Sequence, residues 1–269
     1  MTPGGFWDAV DATRTMRDLN ERLVQLVEVP HNGAILDLGS GTAAISGIVL
    51  KREPSARVLA VDPDEEMLSR IESGLRSRID CIRAKAEDID EKLPSNCFDR
   101  VFLANCVHLF NDRLRAFEAI RAVLKPGGWM AMNTTLFEKG QDPATAHLYR
   151  ELVLAAASIL LNKSCGSRLS RRRVGVANRL ESSEIRTTLE KLGFECVRAV
   201  MCEAVLNVET LTDVVGSRHF ASSLFPDITP DLAAEVMRTA VDQVLARNKV
   251  RAVRRNWLFL IACKEGWGA

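Results

Sequence analysis

Two glycines that directly follow an apolar run are the first residues in this sequence whose spacing suggests chemistry. Ala34–Leu38 is a short apolar stretch that leads into Gly39, Ser40 and Gly41. A strand that ends in Gly-x-Gly can turn tightly and leave its bare backbone open to a ligand. The loop also fits a dinucleotide fingerprint loosely, with Ala44 in the third small-residue position, and a plain tight turn before a helix remains an alternative.

Two aspartates narrow the choice of ligand. Asp62 follows the next apolar run, at a strand end where a carboxylate can accept hydrogen bonds from both ribose hydroxyls of a nucleoside. Asp37 lies two residues before Gly39. Its negative charge would repel a pyrophosphate but suits a ligand that carries ammonium and sulfonium groups. The two carboxylates therefore favour a cationic nucleoside, S-adenosylmethionine, over NAD.

The elements that must position these residues alternate between strands and helices. We predict strands at Ala34–Leu38, Arg57–Val61, Asp80–Lys85, Phe98–Asn105 and Trp129–Leu136. Three helices are predicted between these strands. The first ends near Arg52, the second covers Asp64–Arg76 and the third covers Asn111–Leu124. This alternation predicts βαβ units and a parallel sheet, whose ligand site lies beyond the carboxyl ends of the strands.

The alternation is interrupted after Leu136. Residues 1–30 are predicted to form an N-terminal helical segment, and two helical insertions are expected at residues 137–180 and 209–249. The remaining elements are a helix from Ser182 to Gly193, a strand from Phe194 to Val208 and a final apolar strand, Asn256–Lys264. We predict one domain over residues 1–269, in which the two insertions form a cap that shapes the substrate pocket.

Five segments resemble, in order and spacing, the motifs of class I S-adenosylmethionine-dependent methyltransferases: Ile35–Ala43, Val61–Leu68, Ala86–Asp88, Phe98–His108 and Leu124–Gly128. The resemblance covers about residues 30–136 and is greatest to the branch that methylates small molecules such as quinone precursors and natural products. It implies an α/β, Rossmann-like fold with a seven-stranded, mostly parallel sheet flanked by helices. The last strand would run antiparallel, and S-adenosyl-L-methionine would be the cofactor.

The resemblance also implies roles for individual residues. The methionyl part of the cofactor would meet Asp37, directly or through water, together with Gly39, Ser40, Gly41, Asn105 and Cys106. The adenine would be flanked by Pro63 and Met67 and edged by Ala86, Glu87 and Asp88. Asp62 would bind the ribose. For the acidic side chain at the adenine edge we favour Asp88, with Glu87 as the competitor and a solvated loop charge as the alternative for either.

A general base is needed only if the methyl acceptor must lose a proton. Of the 4 histidines, His108 directly follows the fourth strand and is our candidate for a base or substrate contact, with packing or capping as the alternative. His147 and His219 lie in the insertions and are weaker candidates, while His31 is expected on the surface. The 7 cysteines are scattered without a Cys-x-x-Cys pair, so we predict no metal site and a reducing, cytoplasmic setting.

The composition of the chain limits which kinds of binding partner are expected. The formal net charge is +1 and aromatic residues make up 6%, which argues against a nucleic-acid-binding face. The sequence shows no apolar stretch long enough for a membrane span. Arg168 and the run Arg171–Arg173 form a dense basic segment, which is either a solvated loop or a site for an anionic group on the substrate. A homo-oligomer is compatible with the sequence.

These observations predict a methyltransferase that acts on O, N or C of a small, partly apolar molecule. Three alternatives remain. One is a methyltransferase of RNA or protein that docks through the arginine run. Another is a binding or cyclisation protein that keeps the cofactor fold without transferring methyl. The third is an NAD-dependent reductase.

Overall fold

The computed structural model describes residues 14–163, 180–216, 218–225 and 227–266. Within these residues the chain divides into two compact units. We call the first the sheet unit, which comprises Arg17–Phe137, Leu180–Cys202 and residues 257–266. The second, the helical unit, consists mainly of residues 138–163 and 203–256 within the described ranges. The prediction of one domain with a substrate cap stays a prediction.

The described residues form a seven-stranded sheet in the order β3-β2-β1-β4-β5-β7-β6. Its strands are β1 (Ala34–Leu38), β2 (Arg57–Asp62), β3 (Asp80–Arg83), β4 (Phe98–Ala104), β5 (Leu124–Thr134), β6 (Phe194–Asn207) and β7 (Ala252–Lys264). β1 pairs in parallel with β2 and β4, β2 with β3, and β4 with β5. β7 pairs antiparallel with β5. The predicted mostly parallel sheet with an antiparallel last strand is confirmed.

Helices follow most strands. Those that begin before residue 140 are α1 (Arg14–Gln25), α2 (Ala44–Arg52), α3 (Glu65–Ser69), α4 (Ser73–Arg76), α5 (Ile89–Lys92) and α6 (Arg113–Val123). The later ones are α7 (Ala146–Lys163), α8 (Ser182–Lys191), α9 (Val208–Val215), α10 (Arg218–Leu224) and α11 (Pro230–Asn248). Short 3₁₀ turns, Ala86–Asp88 and Val107–Leu109, follow β3 and β4. They lie at the strand ends where the site was predicted.

The core of the sheet unit comes from strands that are apolar along most of their length. Val101, Phe102 and Leu103 of β4 are completely buried, as expected for a central strand covered on both faces. Trp257 and Phe259 of β7 are among the largest fully buried side chains. Such burial holds the strand ends rigidly, which is what a site built on those ends requires.

Several predicted element boundaries differ from those of the structure. The predicted helix Asp64–Arg76 is two short helices, because the Asp64 carboxylate caps α3 through the Glu66 amide and Glu72 caps α4 through the Gly74 amide. β5 begins at Leu124 rather than at residue 129. The stretch 209–249, predicted as helical without further division, contains three helices, two of which begin at the caps Asn207 and Thr229.

The helical unit has an apolar core of its own. Five apolar side chains from the two predicted insertions are buried: Leu148, Leu152, Leu211, Leu224 and Phe225. A ring contact between Tyr149 and Phe220, with centroids 6.4 Å apart, and a 2.9 Å hydrogen bond from Asn248 Nδ2 to Glu151 Oε2 join helices within the unit. Burial of these residues has a structural explanation, so it does not argue for an apolar substrate.

Two further predictions from the sequence concern the arginine run and membrane-spanning helices. The arginine run that includes Arg168, Arg171, Arg172 and Arg173 lies outside the described residues. Among the described helices, none combines the length and the apolar character that crossing a membrane would demand.

Candidate functional site

The glycine turn after β1 is held against two neighbouring strands. The amides of Gly39 and Ser40 both donate to the carbonyl of Val61, at 2.8 and 3.1 Å. Gly39 has a φ of +69°, and a Cβ added there would lie 2.6 Å from Cys106 Cβ. The turn therefore needs glycine for its backbone angle and for the close approach of the residue that follows β4.

The Asp62 carboxylate connects the glycine turn to the end of β2. Its Oδ2 accepts a hydrogen bond from the Gly41 amide at 2.8 Å, and its Oδ1 accepts one from the Asp64 amide at 2.9 Å. The side chain is 9% exposed. Each carboxylate oxygen can accept more than one hydrogen bond, so Asp62 can order both loops and still accept from a ligand.

Asp37 supports the start of α2. Its Oδ2 accepts hydrogen bonds from the Ser46 amide at 3.0 Å and the Ser46 hydroxyl at 2.7 Å, and the side chain is 1% exposed. The residue at the N-cap position, Ala43, has no side chain that can accept from the first turn. Asp37 therefore provides from β1 the cap that the helix lacks locally.

In the segment after β3, the two candidate carboxylates, Glu87 and Asp88, differ in their hydrogen bonds. Glu87 Oε1 accepts from the amides of Asn111 and Asp112, at 2.8 and 3.2 Å, and so connects this segment to the loop that precedes α6. Asp88 makes no side-chain hydrogen bond at the start of α5. Nearby, Ala86 and Met67 are buried and Pro63 is exposed. Asp88 is thus the better placed of the two carboxylates to accept from a ligand.

Three side chains hold the backbone at the end of β4. Asn105 has a left-handed φ of 51°, which is uncommon for a residue other than glycine. Its amide donates to the backbone carbonyl and to Oδ1 of Asn133, at 3.1 and 2.9 Å. Its own Oδ1 accepts from Trp257 Nε1 at 2.9 Å. Left-handed backbone of this kind concentrates at functional sites.

Neither Asn133 nor Trp257 is among the site residues predicted from the sequence. Asn133 is completely buried, and its Nδ2 has no hydrogen-bond partner among the described residues. The available signal was the polar pair Asn133-Thr134 at the end of an otherwise apolar strand. Because buried polar groups require partners, such a pair indicates either a network or a ligand.

The carboxylates of Asp37 and Asp62 lie close enough to Cys106 at the strand ends to affect its thiol. Burial raises the pKa of the Cys106 thiol well above its usual value, and the charges of Asp62 and Asp37 raise it further. The thiol is therefore protonated, and its Sγ donates to the Leu38 carbonyl at 3.2 Å. Burial disfavours a charge of either sign, so only the smaller contribution of the two carboxylates would favour a positive charge here.

His108 lies in the turn after β4, where its Nδ1 is 3.3 Å from Thr134 Oγ1. Of the two histidines in the sheet unit, His31 and His108, it is the one that follows a strand at this edge of the sheet. His147 is exposed on α7 of the helical unit, and His219 belongs to α10. His31 is exposed, as predicted. Among the described residues, no group of three or more His, Cys, Asp or Glu side chains is placed to hold a metal ion.

The residues at the strand ends fit a nucleoside cofactor. The Ser40 hydroxyl is buried and has no hydrogen-bond partner among the described residues. A Cβ added at Gly41 would meet nothing within 4 Å, so open space lies beside the turn. An orphaned hydroxyl, free space next to a bare backbone and an available carboxylate on Asp88 are what a polar ligand at this edge of the sheet would use.

Comparison with known proteins identifies a family for this part of the chain. Residues 36–132 match the family model described as a methyltransferase domain. The chain is 31% identical over 123 residues to trans-aconitate 2-methyltransferase of Sinorhizobium medicae (strain WSM419). That alignment covers 45% of this chain and 44% of the relative, so the chain spans less than half of the relative's length.

Two solved structures share the fold over nearly the whole chain. Phosphoethanolamine N-methyltransferase 2 of Haemonchus contortus, in complex with S-adenosyl-L-methionine, is similar with a TM-score of 0.56 and 16% identity, covering 92% of this chain and 52% of that one. The cyclase SpnF is similar with a TM-score of 0.60 and 16% identity, covering 93% of this chain and 81% of that one. At this identity the likeness is one of fold.

Proposed function

Because the chain belongs to the class I S-adenosylmethionine-dependent methyltransferases, we propose that it transfers a methyl group to an O, N or C atom of a small-molecule acceptor. Its cofactor is S-adenosyl-L-methionine. The observation that carries the proposal is the meeting of four parallel strand ends. There the Gly41 amide is 2.8 Å from Asp62 Oδ2, and the buried Ser40 hydroxyl has no hydrogen-bond partner in the described part of the chain.

We assign the cofactor contacts residue by residue. The methionyl part would lie against Asp37, Gly39, Ser40, Gly41, Asn105 and Cys106. The ribose hydroxyls would donate to Asp62. The adenine would lie between Pro63 and Met67, with its edge at Ala86 and Asp88. These assignments are supported by the open space at Gly41 and by the carboxylates of Asp62 and Asp37, whose charges add to the effect of burial in raising the pKa of Cys106.

The bound cofactor supplies a methyl group already activated by its sulfonium. The chain's own residues then have to bind, orient and exclude water, and such alignment is worth up to ~7–11 kcal/mol in well-oriented model reactions. The rigid strand ends support this role, since Asn105 is held by Asn133 and by Trp257.

A small-molecule acceptor is supported by the relative in the comparison, which is named for trans-aconitate. The nearly balanced charge of the chain, with a formal net charge of +1, supports it against RNA. A partly apolar acceptor, a homo-oligomer and a cytoplasmic location stay predictions.

The proposal is tested by methyl transfer from cofactor labelled on its methyl group. The protein is incubated with a cell extract that has been separated into small-molecule, protein and RNA fractions. We expect label in the small-molecule fraction together with release of S-adenosylhomocysteine. Label in the protein or RNA fraction alone would favour a macromolecular methyltransferase. Cofactor binding without any S-adenosylhomocysteine would favour a binding or cyclisation protein.

The cofactor assignment has a separate test. Asp62→Ala removes the acceptor for the ribose and for the Gly41 amide, so we expect the affinity for S-adenosylhomocysteine to fall more than tenfold in titration calorimetry. Asp80→Ala, at an exposed aspartate that begins β3, is the control and should leave the affinity unchanged. Equal affinities of the two variants would remove the ribose assignment.

A further inference from the structure

Asn133, the last but one residue of β5, carries a buried hydrogen-bond donor that the proposed function does not use. The side chain is completely buried, and its Nδ2 has no hydrogen-bond partner among the described residues. An amide nitrogen of this kind has two protons to donate, and leaving both unpaired away from water is unfavourable. A ligand that accepts from Nδ2 would account for such a group.

The orientation of this amide is fixed by Asn105. Asn133 Oδ1 accepts from the Asn105 amide at 2.9 Å, so turning the side-chain amide over would set two donors against each other. The oxygen and nitrogen of one amide are about 2.3 Å apart, so Nδ2 lies within about 5 Å of the Asn105 amide nitrogen. The Asn105 side chain accepts from Trp257 Nε1 instead. The unpaired donor therefore lies beside a proposed methionyl contact.

Ser40 shows a similar pattern on the other side of β4. It follows β1, and its hydroxyl is buried without a hydrogen-bond partner in the described ranges. In the sheet, β4 lies between β1 and β5. Two unpaired polar atoms on either side of one strand end would both be satisfied by a polar ligand group that crosses it.

The acidic residues determine how a charged group would be oriented there. Asp37 and Asp62 belong to β1 and β2, which lie on the side of β4 away from β5. Neighbouring strands are about 5 Å apart, so β1 is about 10 Å from β5. Because opposite charges attract and like charges repel, an α-amino acid group should turn its ammonium toward the two aspartates and its carboxylate toward β5.

We propose that Asn133 Nδ2 donates a hydrogen bond to the carboxylate of the methionyl part of the cofactor. This inference rests on the proposed function and adds a contact from β5, to which none of the residues assigned above belongs. Trp257 is a positioning residue in this arrangement, because it holds Asn105, which fixes the Asn133 amide. An oxygen of the methyl acceptor, or a buried water, would use the same donor, so the test has to separate these sources.

Binding of two ligands that differ only by the carboxylate tests the contact. Decarboxylated S-adenosylhomocysteine keeps the nucleoside, the thioether and the ammonium. Asn133→Asp keeps an oxygen that accepts from the Asn105 amide and replaces the donor by a negative charge at about pH 8. In titration calorimetry we expect the affinity of this variant for S-adenosylhomocysteine to fall at least about tenfold. Its affinity for the decarboxylated ligand should increase or stay within about threefold, because the new charge attracts the ammonium.

The matched control is Asn32→Asp, which introduces the same charge at an exposed residue before β1 and should change neither affinity. An equal loss for both ligands would mean that Asn133→Asp disturbs the strand end, and it would overturn the proposal. No loss for either ligand would also overturn it, because Nδ2 would then meet water or the methyl acceptor. Wild-type protein that binds neither ligand would contradict the cofactor assignment and this contact together.

A measurement on the wild-type protein keeps the proposal testable if Asn133→Asp does not fold. The side-chain amide protons of Asn133 are assigned by through-bond correlation in ¹³C,¹⁵N-labelled protein and followed while each ligand is added. A hydrogen bond to a charged oxygen moves an amide proton downfield, so we expect this shift with S-adenosylhomocysteine and none with its decarboxylated form. The same response to both ligands would overturn the proposal.

Discussion

At the scale of single residues, the acidic side chains at the strand ends do two different kinds of work. Asp37, Asp62 and Glu87 each accept hydrogen bonds from backbone amides and thereby hold loops in place. Asp88 makes no such bond to the described residues. Because no described residue donates to it, the Asp88 carboxylate has its accepting capacity available for a ligand, so Asp88 and Glu87 should respond differently to substitution.

The first prediction separates these two carboxylates. Asp88→Asn should weaken binding of S-adenosylhomocysteine about tenfold, because a hydrogen bond to a charged group contributes about 1.5–3 kcal/mol. Glu87→Gln keeps an oxygen that can accept from the Asn111 amide and should leave the affinity nearly unchanged. Titration calorimetry on both variants is the measurement. A larger loss in Glu87→Gln would assign the adenine edge to Glu87 instead.

The second prediction concerns the two glycines of the turn. Gly39→Ala would place a Cβ 2.6 Å from Cys106 Cβ at a positive φ, so we expect the free energy of unfolding to fall by about 2–4 kcal/mol. Gly41→Ala has a similar φ of +54° but meets nothing within 4 Å, so its loss should be about 1 kcal/mol. Its Cβ would instead enter the space proposed for the cofactor.

Urea unfolding and calorimetry together check this pair. Gly39→Ala should have the lower unfolding free energy, and the folded Gly41→Ala protein should bind S-adenosylhomocysteine more weakly than wild type. If Gly41→Ala bound the ligand with unchanged affinity, the cofactor would not lie against Gly41.

At the scale of elements, the start of α2 depends on a residue outside the helix. Ala43 occupies the N-cap position with a φ of +66° and offers no side-chain acceptor. The first-turn amide of Ser46 donates to Asp37, which belongs to β1. Strand, turn and helix are therefore joined by one buried carboxylate, and the angle at which α2 leaves the turn depends on it.

The third prediction is that this link stabilises the fold. Ser46→Ala removes the hydroxyl that donates to Asp37 at 2.7 Å, and we expect the free energy of unfolding to fall by about 1–3 kcal/mol. Ser69→Ala is the matched control, because its exposed hydroxyl donates to the Glu66 carbonyl within α3 and should contribute less than about 0.5 kcal/mol. Equal unfolding curves for the two variants would show that the link has no energetic role.

Most elements could be predicted from sequence, and the errors have physical causes. β1 was predicted residue for residue, because a buried parallel strand is a short apolar run ended by glycine. The helix predicted at 64–76 is interrupted because Glu72, which looked like an ordinary helical residue, caps a new helix. A side chain that turns back to cap its own backbone does not alter the apolar periodicity on which the prediction relied.

At the scale of the whole molecule, one buried lysine joins the end of the chain to its middle. Lys264 of β7 is 9% exposed, and its Nζ donates to Asn96 Oδ1 and to the carbonyls of Arg121 and Leu124, each at 2.7 Å. Burial lowers the pKa of Lys264, and the charge of Arg121 lowers it further. The ammonium donates hydrogen bonds to the carbonyl groups at the C-terminal end of α6, and its positive charge stabilises the partial negative charge there.

The fourth prediction follows from this contact. Lys264→Met should lower the free energy of unfolding by about 1–3 kcal/mol or more, because it leaves buried carbonyls without donors. Lys51→Met, at an exposed position in α2, should change it by less than about 0.5 kcal/mol. Urea unfolding followed by circular dichroism measures both. A Lys264→Met protein as stable as wild type would mean that water replaces the ammonium.

The sequence by itself determined the order of elements, the glycine turn and the acidic residues that end the strands, because these features depend on local composition and on periodicity along the chain. Only the tertiary structure showed that Asp37 caps α2, that Asn133 and Trp257 hold Asn105, and that Thr134 contacts His108. The physical reason is separation along the chain. Trp257 lies 152 residues from Asn105, and a hydrogen bond across that distance leaves no local pattern in either segment.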